Sequence, residues 1–243
     1  MRLTFVLCFV VLLLVSCEKP EEKNKMYVSG TVEGLKKGML YLQRIEDTLL
    51  VTIDSLKIDG DSNFEFSASL ESPEIFYLYL NKDDGNKNND RILFFGEQGR
   101  ITIATTRDFF EPEAKISGSV SHDKLEEFQK TMNRFNNLNL DLIEARFKAQ
   151  KDNDSTTADS IQKRYESNRK RRYLYALNFA LNNKDSHVSP YIALSETPDA
   201  RLKYLDSIYN SLSPEVAGSK YGKALEVFLE RIRTEEEKVT PAN

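Results

Sequence analysis

Hydrophobic positions recur along this chain at three spacings, and each predicts a different structure. From Leu3 to Val15 they run on with only Thr4 between them. From Met26 to Ser119 they alternate with polar positions in stretches rich in Val, Ile, Phe and Tyr. "YVSGTVEG", "GMLYLQRI", "LLVTIDSLKI", "NFEFSASL", "EIFYLYLN", "RILFFGE" and "RITIATT" read as strands, separated by Gly, Asp, Asn and Pro at hairpin-like intervals. In "FEFSASL", Phe64, Phe66, Ala68 and Leu70 share one face, as in a half-buried antiparallel strand. From His122 the spacing becomes three and four. Leu125, Phe128, Met132, Phe135 and Leu142 line one face of a helix reaching Gln150, with Ser121 as its expected cap. "KDNDSTTADS" breaks that helix, and a second runs from about Thr156 to Asn182. Shorter helices are expected from Tyr191, from Asp199 and from Ser219 to about Glu236.

Strands followed by helices, not alternating with them, predict an α+β fold. An antiparallel β-sandwich or open barrel is expected over residues 26–119. A helical hairpin and shorter C-terminal helices follow over 120–236, with a frayed tail at 237–243.

The first apolar run has too few residues for a membrane-spanning helix, which needs roughly 20. With Arg2 before it and a small residue after it, it reads as a signal peptide over residues 1–16. "LVSC" (Leu14 to Cys17) resembles a bacterial lipobox. In that pattern cleavage follows Ser16, the Cys17 thiol receives a diacylglycerol and the new amine is acylated, so Cys17 is the lipidation site. The alternative is a plain secretory signal with a chance cysteine. Residues 17–25 form a polar tether whose sequence "EKPEE" after Cys17 resembles the acidic export signal of surface lipoproteins. The chain is therefore expected to be attached to a membrane through its lipid. The expected place is the outer membrane, at its surface or its periplasmic face.

Composition narrows the chemistry. The chain holds 34 Lys+Arg against 38 Asp+Glu, a formal net charge of −4, without the basic excess that nucleic acid binding wants. Its two cysteines are Cys8, inside the signal, and Cys17, so no CxxC pair or cysteine metal set is expected in the mature protein. His122 and His187 are the only histidines, and neither stands in an HExxH motif. Asp59, Asp61 and Asn63 begin like a calcium loop, but Phe64 and Leu70 occupy the places where glycine and glutamate are needed. A hairpin turn is the better account. The basic run "RYESNRKRRY" (Arg164 to Tyr173) could meet anionic headgroups or an acidic partner, yet its charges wrap around the helix as a solvated surface would. No catalytic, cofactor-binding or metal-binding residue is assigned.

Several stretches taken in order resemble a known family. They are "GTVEGLKKGMLYL", "IDSLKIDGDSNFEFSASLESPEIFYL", "FFGEQGRITI", "SGSVSHDKLEEF", "SPYIAL" and "LSPEVAGSKYGKALEVFL", spanning about residues 27–232. Together they resemble the domain-of-unknown-function family numbered 4369, typical of Bacteroidota lipoproteins. In that family the domain commonly precedes a thioredoxin-like disulfide reductase, whose CxxC pair this sequence lacks. The resemblance carries no catalytic residues. The reading adopted from the sequence as a whole is a non-enzymatic envelope lipoprotein that binds a partner protein or a small envelope ligand. The alternatives are an accessory subunit to a separately encoded thioredoxin-like reductase and, behind it, an uncharacterised hydrolase or other enzyme.

Overall fold

The structure, a computed structural model, describes residues 24–82 and 90–239. Cys17, the signal peptide and most of the tether lie outside the described residues.

Strands β1 (Lys25–Glu33), β2 (Lys37–Glu46), β3 (Leu49–Asp59), β4 (Asn63–Ser69), β5 (Glu74–Asn81), β6 (Asp90–Gly96), β7 (Gly99–Thr106) and β8 (Lys115–Ser117) form two four-stranded sheets. One has the order β4-β1-β7-β8 and the other β3-β2-β5-β6. Neither closes on itself, so the sandwich alternative is the one adopted. Alternate residues of both sheets fill the core between them, with Val28, Phe66 and Ile103 from one and Leu42, Phe76 and Phe94 from the other.

One pairing departs from the antiparallel expectation: β1 and β7 run parallel, with Gly30 opposite Ile103. A parallel pair needs a crossover between its strands. Here the intervening chain supplies it by building all of the second sheet. Gly30 also sits in mid-strand, not at a turn. A Cβ there would come 1.7 Å from the Ile103 carbonyl oxygen, so only glycine allows the two backbones this approach.

The helices are α1 (Val120–Lys151), α2 (Ser155–Asn182), α3 (Val188–Glu196), α4 (Leu202–Ser211), α5 (Pro214–Ala217) and α6 (Lys220–Val239). They cover the outer face of the second sheet and make a third layer. Along β5 and β6, Phe76, Leu78, Ile92 and Phe94 point into the sandwich. The intervening Ile75 and Phe95 join a second core with Leu125, Phe128, Ile192 and Leu225 of the helices. That is why "EIFYLYL" and "RILFF" are apolar at nearly every position: a strand covered on both sides needs apolar residues on both faces. Among the described residues, no helix is long and apolar enough to cross a membrane.

The cap of α1 is Ser119, not Ser121. Ser119 has extended backbone geometry (φ −125°) and its Oγ accepts from the His122 N–H at 2.9 Å, whereas Ser121 is buried inside the first turn. Ser119 Oγ also donates to the Phe95 carbonyl at 2.8 Å, which ties the helix start to β6.

Candidate interaction site

Two features stand out on the frame of three layers: a long helical arm and the clefts at its base. The hairpin of α1 and α2 forms as the periodicity predicts, closed by Asp152–Asp154 with Asn153 at φ +57°. The Asp154 side chain caps α2 by accepting from the Thr157 N–H at 3.0 Å; the Thr157 side chain, and after it that N–H, hold its carboxyl below the usual carboxylate range. At 32 residues α1 is about 48 Å long. Only its first third reaches the second core, through Leu125, Phe128 and Met132.

Beyond Met132 the arm is held by α1 and α2 alone. Their seam contains a small cluster of Leu142, Ala149 and Ile161, with Ala158 and Tyr165 at its border. Nearer the base Phe135 meets the Tyr175 ring, and between these apolar contacts the seam is polar. Asn168 Nδ2 donates to the Phe135 carbonyl at 2.9 Å and to Asn139 Oδ1 at 2.8 Å, while Arg146 bonds Gln162. Beside this seam α1 carries an uncovered apolar stripe. Leu140 is 64% exposed and Phe147 61%, with half-buried Ile143 between them. Ile143 lies three turns beyond Met132 and continues the helix face that, nearer the base, packs against the second core, whereas Leu140 and Phe147 lie at the edge of that face, three turns beyond the exposed Gln129 and Asn136.

The basic run on α2 is divided among different surroundings. Arg172 turns toward the body and pairs with Glu196 at 2.8 Å, and the Arg169 guanidinium lies over the Tyr165 ring. Lys163, Arg164, Lys170 and Arg171 are exposed on the outside of the helix. The charges wrap around α2 as a solvated surface does.

The two histidines are brought to the base of the arm but not to one site. His122 is buried, its Nδ1 accepting from the Phe95 N–H at 3.3 Å and its Nε2 facing Glu126 Oε1 across 3.5 Å. Burial lowers its pKa against the opposing pull of Glu126, Asp123 and Glu97. His187 is half-buried and lines a cleft of about 540 Å³ with Glu97, Lys124 and Glu215; burial lowers its pKa too. Glu97 is already engaged there, accepting from the Val120 and Ser121 N–H groups at 2.5 and 3.1 Å. Among the described residues, no three His, Cys, Asp or Glu side chains converge to hold a metal ion.

The calcium-like loop is a turn. Asp61 Oδ1 accepts from both the backbone N–H and the side-chain amide of Asn63, at 3.0 and 2.9 Å, and Gly60 adopts φ +100°.

Sequence patterns did not single out a further cleft, of about 1060 Å³, where the sandwich meets α6. Glu74, 5% exposed, receives Lys220 and faces Arg44 at 3.5 Å, while the Tyr221 hydroxyl accepts from the Ile75 N–H at 3.0 Å. Burial pushes the Tyr221 hydroxyl pKa up. Lys220 and Tyr221 stand 146 residues from their partners Glu74 and Ile75, a separation no local pattern reveals.

Residues 26–125 match the family model described as Domain of unknown function (DUF4369). The match covers the whole sandwich and ends at Leu125, in the second turn of α1. No curated protein and no solved structure matches the chain.

Proposed function

We propose that this chain, whose residues 26–125 match the DUF4369 family model, is a non-enzymatic, lipid-anchored interaction module of the cell envelope. The anchor is the diacylglycerol on Cys17, and the interaction element is the α1–α2 arm. One observation carries the second half of this reading. Leu140 and Phe147 stand exposed on either side of half-buried Ile143, which continues the helix face that is buried against the body nearer the base. Apolar surface repeated along one helix face is the form in which helices dock into a partner's groove or bundle. The polar seam holds the arm in one register while leaving that stripe outward.

The test is a photo-crosslinking amino acid placed singly at Leu140, Ile143 and Phe147, with Lys163 as a position on the outer surface of α2. Irradiation of the native, membrane-bound protein is expected to give a discrete protein adduct from the three stripe positions and none from position 163. Absence of an adduct at all three positions would remove the arm as a binding element. An adduct with a thioredoxin-like protein would narrow the role to that of a reductase accessory. The anchor is tested separately: Cys17→Ser is expected to abolish incorporation of a clickable fatty acid and to leave the signal peptide attached.

A further inference from the structure

The β2–β3 hairpin turns through Asp47 and Thr48 and carries three aliphatic side chains at its tip. Leu49 is 70% exposed, Leu50 41% and Ile45 40%. Ile45 pairs directly with Leu50, which puts those two on one face and Leu49 on the other, so the tip is apolar on both sides. Among the described residues β3 is an edge strand, with β2 on one side and no strand on the other. The tip is firmly mounted at its root, because Lys220 Nζ donates to the Ile45 carbonyl at 2.7 Å while bonding the buried Glu74.

The position of this tip matters more than its composition. Asn24, where the described chain begins, lines the same cleft as Glu46 and Asp47 of the turn and as Arg44, Lys220 and Lys223. The chain therefore enters the fold beside the apolar tip. Seven peptide steps separate Cys17 from Asn24, a reach of about 25 Å at full extension. An anchor at Cys17 thus holds this end of the molecule, and not an arbitrary one, next to the bilayer.

From this juxtaposition we infer that the β2–β3 tip inserts Leu49, Leu50 and Ile45 into the interface of the bilayer that carries the anchor. This rests on the lipid-anchor reading of Cys17. The charges at the tip are arranged to permit it. Arg44 grips Glu46 through two donors at 2.6 and 2.8 Å and Lys220 is held by Glu74, which leaves exposed Lys223 as the cation of the adjoining cleft for a lipid phosphate, with Glu71 on the same cleft wall. Asp47 is the one acidic residue of the turn itself and sits at φ +54°. Insertion fixes orientation: with a second contact beside the tether, the protein cannot swivel about its lipid, and the arm is held at a constant angle to the membrane.

The experiment uses the lipidated full chain in vesicles of phosphatidylethanolamine and phosphatidylglycerol. Acylation blocks the Cys17 thiol and Cys8 leaves with the signal, so Leu49→Cys creates a single labelling position for a fluorophore. Phe147→Cys gives the matching label on the arm. Quenching by lipids brominated at known depths is expected to place the label at 49 about 5–10 Å into the interface. The label at 147 is expected to remain in water. A second preparation replaces Cys17 by a histidine tag held on nickel-chelating lipid. Immersion at 49 in that preparation, with no acyl chain found on the native protein by mass spectrometry, would overturn the anchor reading and leave the tip assignment standing. A label at 49 that stays in water in both preparations overturns the proposal, including the case where it becomes shielded only when a second protein is added.

Discussion

β5 and the outer two-thirds of α1 are both rich in apolar residues, and the fold treats them in opposite ways. β5 is covered on both faces: Phe76, Leu78 and Leu80 enter the sandwich core and Ile75 enters the core beneath the helices. Past Met132, α1 is covered along one seam only, and two of its large apolar side chains, Leu140 and Phe147, face outward. Apolar content alone therefore does not say what a segment contributes. In β5 each apolar residue removes its surface from water on folding, at roughly 25 cal/mol per Å². In the arm part of that surface is left available for a partner. Stability is concentrated in the sandwich and its helical cover, and the arm is the region that opens at least cost.

Truncations on the two sides of this contrast give the largest expected effect. Phe94 is fully buried and stacks on Phe76 with ring centroids 5.9 Å apart. Phe94→Ala is expected to lower the unfolding free energy by about 3–5 kcal/mol in urea titrations. Leu142→Ala, also at a buried position, is expected to cost less, because the arm can open locally without the body. Hydrogen exchange checks the same point, with amides of residues 136–168 expected to exchange well before those of β5. Equal losses from the two substitutions, with equal protection, would mean that arm and body unfold as one unit.

The next effect isolates the parallel pair that divides the sandwich from an all-antiparallel one. Gly30→Ala places a Cβ against the Ile103 carbonyl, and backbone cannot rotate away as a side chain can. A loss of about 1–3 kcal/mol is expected, the usual range for overpacking. Gly60→Ala is the comparison: no atom lies within 4 Å of its Cβ, and only its φ of +100° opposes the change. If the two cost the same, conformational strain and not β1–β7 contact governs Gly30.

Much of this frame is legible in the residues. The strand stretches and the two long helices follow from spacing, and "NFEFSASL" predicts β4 (Asn63–Ser69) to within a residue. What is not legible depends on partners distant in sequence. Period-two alternation is the same for parallel and antiparallel neighbours, so β1–β7 could not be foreseen. β8 has three residues, too short for any period. In "SGSVSH" the cap falls to Ser119 and not to Ser121 because Phe95, 24 residues away, gives the Ser119 hydroxyl a second bond. The apolar run "EIFYLYL" did carry a sign of the third layer, since a half-solvated strand would alternate. The exposed stripe on α1 is invisible for a different reason. Leu140, Ile143 and Phe147 have the spacing of core residues, and only the packed structure shows that nothing covers Leu140 and Phe147.

A smaller, pH-dependent effect separates base from arm. The buried His122 has a folded pKa below its ordinary value of 6.5, chiefly through desolvation, with Glu126, Asp123 and Glu97 opposing the shift. A base whose pKa is lowered on folding binds more protons when unfolded, so stability rises with pH through the affected window. The contribution is complete above pH 6.5 and is lost as pH falls from there toward the lowered folded value. His187 adds to the same window with the same sign. Urea titrations between pH 8 and 5 are expected to show this decline. His122→Gln is expected to flatten it in part, while Asp154→Asn on the arm leaves it unchanged above pH 5.

The smallest expected effect on stability is the sharpest statement about the arm. Leu140 and Phe147 lie on one side of α1, exposed and outside both cores. If their surface is reserved for a partner, replacing both with serine removes nothing the isolated chain uses. Leu140→Ser with Phe147→Ser is expected to change the unfolding free energy by no more than about 0.5 kcal/mol per site, the range for surface positions. Serine is a poorer helix former than leucine, which sets the direction of any residual change. The same double variant, carrying the photo-crosslinker at Ile143, is expected to lose the adduct formed in the native membrane. Retention of the adduct would place the binding surface elsewhere on the arm. A loss of several kcal/mol would mean that the stripe belongs to the arm's own packing, and the contrast between a saturated strand and an open helix would disappear.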